Sequence, residues 1–133
     1  MFQLDERLAN DTFQVKELPL CDVRLMNDAQ FPWVILVPKV ADAREIYQLT
    51  EAQQQQLLRE SAMVCSALET LFSPTKLNVA ALGNVVAQLH IHHIARFQND
   101  CAWPNPVWGR QPTVAYSEEQ REERLQALRH LLS

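Results

Sequence analysis

The sequence predicts an α+β fold: an antiparallel sheet crossed by one long helix and closed by a C-terminal helix. Three observations carry this. Two apolar stretches of strand length, residues 21–26 and 33–37, stand close together in the first third of the chain. A capping-box pair, Thr50 and Gln53, opens a long segment whose apolar residues recur every three or four positions until Ser73-Pro74. A second pair with the same spacing, Ser117 and Gln120, opens another such segment at the C-terminal end.

Residues 2–18 carry Leu4, Leu8, Phe13 and Val15 among acids and amides, which predicts a turn or two of helix and then an entry segment. Cys21-Asp22-Val23-Arg24-Leu25-Met26 alternates apolar and polar residues, the pattern of a half-buried strand. Asn27-Asp28-Ala29-Gln30 supplies turn chemistry through short polar side chains. Trp33-Val34-Ile35-Leu36-Val37 is continuously apolar and ends at Pro38, so it is expected as a strand buried on both faces, in a hairpin with the first. Leu57, Ser61, Val64, Leu68 and Leu71 mark the expected buried stripe of the long helix, and the Gln53 to Gln56 run its solvated face. A strand is expected over 76–82, a turn at Gly83-Asn84 and a second strand over 85–97.

Residues 101–109 hold Trp103, Pro104, Pro106 and Trp108, too rich in proline for a helix or a central strand, and are expected to lie extended across the rest. The two tryptophans read as structural clamps. Glu118 and Glu119 then complement the positive end of the last helix, and Leu125, Leu128 and Leu131 or Leu132 give it a docking stripe. Residues 1–110 are expected as the main domain, with 111–133 a helical tail packed on it.

With 133 residues, 47% of them hydrophobic, the chain has the size of one domain with a core of its own. A formal net charge of −4 leaves no basic stripe for a nucleic-acid polymer or an anionic membrane, but does not bar a small phosphorylated ligand. No apolar run reaches spanning length and no secretory leader is visible, so a cytoplasmic location is expected. The three cysteines, Cys21, Cys65 and Cys101, are odd in number and widely spaced, which fits reduced thiols.

The chemistry concentrates in Gln88-Leu89-His90-Ile91-His92-His93, which holds three of the four histidines. On a strand of period 2, Gln88, His90 and His92 share one face, while Leu89, Ile91 and His93 take the other. Packing that row under apolar core would leave ring nitrogens unpaired at roughly 1–3 kcal/mol each, so it is expected to face a pocket. His93 is expected as a satisfied core or interface residue. Zinc is not expected, although His90, His92, His93 and Cys101 are ligand types, because adjacent His92 and His93 diverge. Arg96 near the strand end reads as the partner of an acid.

The order of hairpin, long helix, strand, Gly-Asn turn and histidine-rich strand resembles the histidine triad superfamily of nucleotidyl hydrolases and transferases, whose motif reads His-φ-His-φ-His-φ-φ. Gln88, His90 and His92 stand at its three positions, and Val34-Ile35-Leu36-Val37-Pro38-Lys39 resembles its second strand. The resemblance covers roughly residues 20–98. It implies a HIT-like fold, a homodimer, no cofactor and a nucleotide or nucleoside-phosphate substrate. It also implies that His90 attacks the α-phosphorus through Nε2 while a main-chain carbonyl holds Nδ1–H, and that His92 donates to a phosphate oxygen. By the same resemblance Asn27 or Asp28 would hold the ribose, and Asn78, Gly83 and Asn84 the phosphate side.

Two residues depart from the pattern. Gln88 cannot shuttle a proton, and Trp33 stands where many relatives carry another histidine. The expected function is therefore hydrolysis or transfer at an α-phosphate, with a catalytically weak or inactive nucleotide-binding module as the rival.

Overall fold

The computed structural model describes all residues, 1–133. A short helix α1 (Glu6–Asp11) leads into strand β1 (Thr12–Glu17), followed by β2 (Cys21–Met26) and β3 (Trp33–Pro38). A single 3-10 turn at Ile46–Gln48 precedes the long helix α2 (Glu51–Phe72), and β4 (Lys76–Ala80), β5 (Ile91–Arg96) and helix α3 (Glu118–Leu131) complete the chain. The strands form one antiparallel sheet in the order β1-β2-β3-β5-β4. This is the expected α+β fold, with one long helix and a C-terminal helix beside an antiparallel sheet.

The strongest local signals behave as the sequence implies. Thr50 accepts a hydrogen bond from the Gln53 N–H while the Gln53 side chain accepts one from the Thr50 N–H, and Ser117 and Gln120 repeat the arrangement at α3. β2 and β3 pair as the expected hairpin, Cys21 opposite Pro38 and Leu25 opposite Val34.

Three expectations are corrected. β1 was expected only as an entry segment; its register slips between Gln14 and Lys16, so the bulge breaks the period-2 pattern that would have announced a strand. The histidine strand begins at Ile91 rather than at residue 85, because β3 and β4 reach back only to Leu36 opposite Ile91 and to Ala80 opposite His92. Residues 83–90 instead form a loop, turned by Gly83 at φ +73°. Finally, the buried stripe of α2 is Leu57, Glu60, Val64, Ala67 and Leu68, with Ser61 and Leu71 only half-buried.

Glu60 is the unexpected member. Its carboxylate accepts from the N–H groups of Leu20 and Cys21 at 2.9 and 2.8 Å and from the Gln56 amide at 2.7 Å, tying α2 to the β1–β2 turn. Burial and this neighbouring carboxylate push the Cys21 thiol well above its ordinary value.

The sheet separates two apolar layers. One holds α2 and α3 against Val23, Leu25, Val34, Leu36 and Ile91, and Leu125, Leu128 and Leu132 of α3 belong to this same core. The other lies beneath the N-terminal segment and the tryptophan loop, with Leu8, Phe31, Trp33, Ile35 and Ile94 packed against Ala102 and Val107. That second face carries the histidine row. No helix is long and apolar enough to cross a membrane.

Candidate active site

Ile35 of β3, the start of β5, the loop before β5 and helix α1 enclose a cleft of about 400 Å³ on the second face. His90 and His92 line it, with ring centroids 4.9 Å apart, and Gly83, Asn84 and Val86 form one wall. A volume of this size falls in the range of small-molecule sites.

The two imidazoles are fixed in opposite tautomers. His90 Nδ1 lies 2.7 Å from the main-chain carbonyl of Gln88. A carbonyl only accepts, so Nδ1 carries the hydrogen and the lone pair sits on Nε2. In His92, Nδ1 accepts the indole N–H of Trp33 at 2.9 Å. Indole only donates, so the lone pair of neutral His92 sits on Nδ1 and its hydrogen on Nε2. Neither Nε2 has a protein partner, and no buried side-chain nitrogen or oxygen lacks one, so both Nε2 atoms open to the cleft. Side by side, the cleft holds one ring nitrogen with a free electron pair and one with a free hydrogen.

Burial, with the neighbouring rings of His90 and His93 adding to it, holds the His92 pKa down to about 3. His92 is therefore a neutral donor at physiological pH. Trp108 packs edge-on against both Trp33 and His92, with centroids 5.7 and 5.0 Å away, so the loop at 101–109 forms part of the cleft as well as clamping the second core.

The main chain at 84–86 lies along the cleft wall. None of these three N–H groups bonds to a protein acceptor. Gly83, at φ +73°, turns the chain just ahead of them.

The remaining sequence candidates are not brought to the cleft. Asn27 accepts the Tyr116 N–H at 2.9 Å, and Asp28 accepts from the Gln30 main chain at 3.1 Å, so both tie the β2–β3 turn to its neighbours and to the chain entering α3. Asn78 accepts from Arg96 at 2.9 Å. The Gln88 side chain accepts the Asp5 N–H and donates to the Gln3 carbonyl, each at 2.8 Å, so it anchors the N-terminal segment and only its carbonyl serves His90. Arg7 and Asp11 of α1 line the cleft instead, which nothing in their sequence context announces.

His93 lies on the other face, its Nε2 2.7 Å from the Ser61 hydroxyl and its Nδ1 3.1 Å from the Ile91 carbonyl. Burial lowers its pKa to about 4. It points away from His92, and no three histidine, cysteine or carboxylate side chains converge as a metal site would need.

Arg96 pairs with Asp100 at 2.8 and 3.1 Å, an arrangement closed over by Trp103. Burial raises the Asp100 pKa, but Arg96 and the N–H groups of Phe97, Ala102 and Trp103 outweigh it and bring it to about 2.

A family model described as HIT domain matches residues 7–99. Among solved structures, a histidine triad protein from Marinobacter aquaeolei VT8 is 57% identical, with a TM-score of 0.97 over 99% of this chain and 96% of that one. One from Bradyrhizobium japonicum is 44% identical at a TM-score of 0.97 over 99% and 98%, and one from Sinorhizobium meliloti 1021 is 42% identical at 0.94 over 97% and 96%. No curated protein matches the chain.

Proposed function

Because the chain belongs to the HIT domain family, and that membership supports a nucleotide-related function, we propose that it cleaves or transfers at the α-phosphate of a nucleotide derivative through a nucleotidyl-His90 intermediate. The observation that carries this reading is the pair of opposite tautomers. His90 offers the Nε2 lone pair, and its Nδ1–H stays on the Gln88 carbonyl, where it stabilises the cationic ring once phosphorus is bound. His92 turns Nε2–H to the same space and donates to an oxygen on which charge grows. The unpartnered N–H groups at 84–86 suit the remaining phosphate oxygens.

One observation favours binding without turnover: Gln88 stands at the first triad position and its amide is committed to residues 3 and 5. Incubation with a dinucleoside polyphosphate separates the two readings. Turnover that falls by about 10⁴-fold or more in His90→Ala, with mononucleotide binding kept, is the enzyme's signature. Binding by the native chain without any turnover would leave the module.

The same reading makes the protein a homodimer. β4 is an edge strand, and Val79 on it stands exposed beside Leu58 and Ile46 around one shallow hollow, a surface a second copy would cover. Leu58→Asp is expected to shift sedimentation from dimer to monomer. A native chain that sediments as a monomer would reject this.

A further inference from the structure

Resting on the reading of His90 as the nucleophile, we propose that this site is selective for leaving groups that depart as stable anions. Its substrates are then anhydrides of a nucleoside monophosphate with a phosphate, carboxylate or sulfate, and phosphoramidates, whose nitrogen must gain a proton to leave, are poor ones.

The argument is an inventory of protons in the cleft. The hydrogen on His92 Nε2 can be shared but not given up, because Trp33 already occupies Nδ1 and loss of the Nε2 proton would leave an imidazolate. The cationic form, which could give one up, would need a proton on the nitrogen that receives the indole N–H. His90 Nδ1–H is held on the Gln88 carbonyl and faces away from the reacting phosphorus. The Gln88 amide carries no acidic proton and is bound elsewhere. Thr12, also on the wall, gives its hydroxyl hydrogen to the Leu8 carbonyl and accepts from Arg24 at 2.9 Å. Arg7 keeps its protons. Asp11 alone remains as a carboxyl on the wall, at the exposed rim.

In the first half-reaction the His90 Nε2 lone pair forms the P–N bond while the bond from phosphorus to the leaving group breaks, and that bond's electron pair departs with the leaving group. For an anhydride the departing species is a delocalised oxyanion that a hydrogen bond from His92 suffices to steady. For an amidate it is an amide anion unless a proton arrives first. In the second half-reaction water forms the new P–O bond and the P–N pair returns to His90. One water proton stays on the product phosphate and the other passes to solvent.

The test compares kcat/KM for diadenosine triphosphate, adenosine 5′-phosphosulfate and adenosine 5′-phosphoramidate, alongside ¹⁵N NMR of His92. Both anhydrides are expected to exceed the amidate by at least about 100-fold, the usual worth of a general acid. The NMR signal of His92 is expected to stay in the Nε2–H form from neutral pH to about pH 5. Trp33→His, which supplies a partner able to accept as well as donate, is expected to narrow the ratio by about tenfold and to let His92 titrate. Amidate turnover within about tenfold of the anhydrides, or a His92 carrying its hydrogen on Nδ1, overturns the proposal. So does amidate turnover lost selectively in Asp11→Asn, which would identify the missing acid. If no substrate turns over while adenosine monophosphate binds, the nucleophile reading itself fails and this inference with it.

Discussion

His92 and His93 are neighbours of the same residue type, and both are buried, yet the sheet sends them to opposite fates. His93 is closed: Ile91 accepts from Nδ1, Ser61 donates to Nε2, and no ring atom is left over. His92 is half closed: Trp33 satisfies Nδ1 and Nε2 is left to the cleft. Burial depresses both pKa values, so both rings stay neutral, and charge does not distinguish them. What distinguishes a structural from a reactive histidine here is the count of its protein partners. His92, like His90, leaves one ring nitrogen without a partner to the cleft.

Substitutions can sharpen or break this contrast. Within this pair the larger effect is expected from His92→Ala, which removes the free donor: kcat should fall by about 10²- to 10³-fold, with about 1–3 kcal/mol of stability lost because the buried Trp33 indole N–H loses its acceptor. An unchanged kcat would break the contrast. On the closed side, Ser61→Ala leaves His93 Nε2 buried without its donor and should cost about 1–3 kcal/mol in denaturant unfolding, with kcat/KM preserved. Lost activity at full stability would mean that the two faces are coupled.

The smallest effect is on pH. Both histidines have folded pKa values below the ordinary 6.5, so the unfolded chain binds protons that the native chain refuses. Stability is complete above the unfolded value and drains as pH falls towards about 4 and then about 3. Between pH 7 and pH 6 the pair should remove about 1 kcal/mol, and Asp100 adds its own loss only below the ordinary carboxyl range. A melting temperature that rises on acidification through this window would contradict the buried neutral rings.

Much of this organisation was legible from local chemistry. The caps at Thr50 and Ser117 and the apolar run beginning at Trp33 each act within a few residues, so α2, α3 and β3 could be read directly. The face assignment of His92 and His93 followed from period 2 and needed no partner strand, whereas His90 reaches the cleft from the loop before β5. What stayed hidden depends on distant contacts. The bulge at Gln14 to Lys16 concealed β1. Glu60 is polar by type and buried only because two N–H groups at the β1–β2 turn need an acceptor. Asn27, Asp28 and Asn78 are drawn away by Tyr116, Gln30 and Arg96, partners that sequence spacing does not reveal. Trp33 reads in the sequence as a lost histidine; in the folded chain its indole N–H fixes the tautomer of His92.

All of this turns on whether the open nitrogen of His90 bonds to phosphorus. The direct measurement is peptide mass spectrometry of the protein mixed with diadenosine triphosphate and quenched under alkaline conditions. An added nucleoside monophosphate on the peptide carrying His90, absent from His90→Ala, is the predicted result. The same mass found on His92, or turnover with His90→Ala still forming the adduct, would contradict the account.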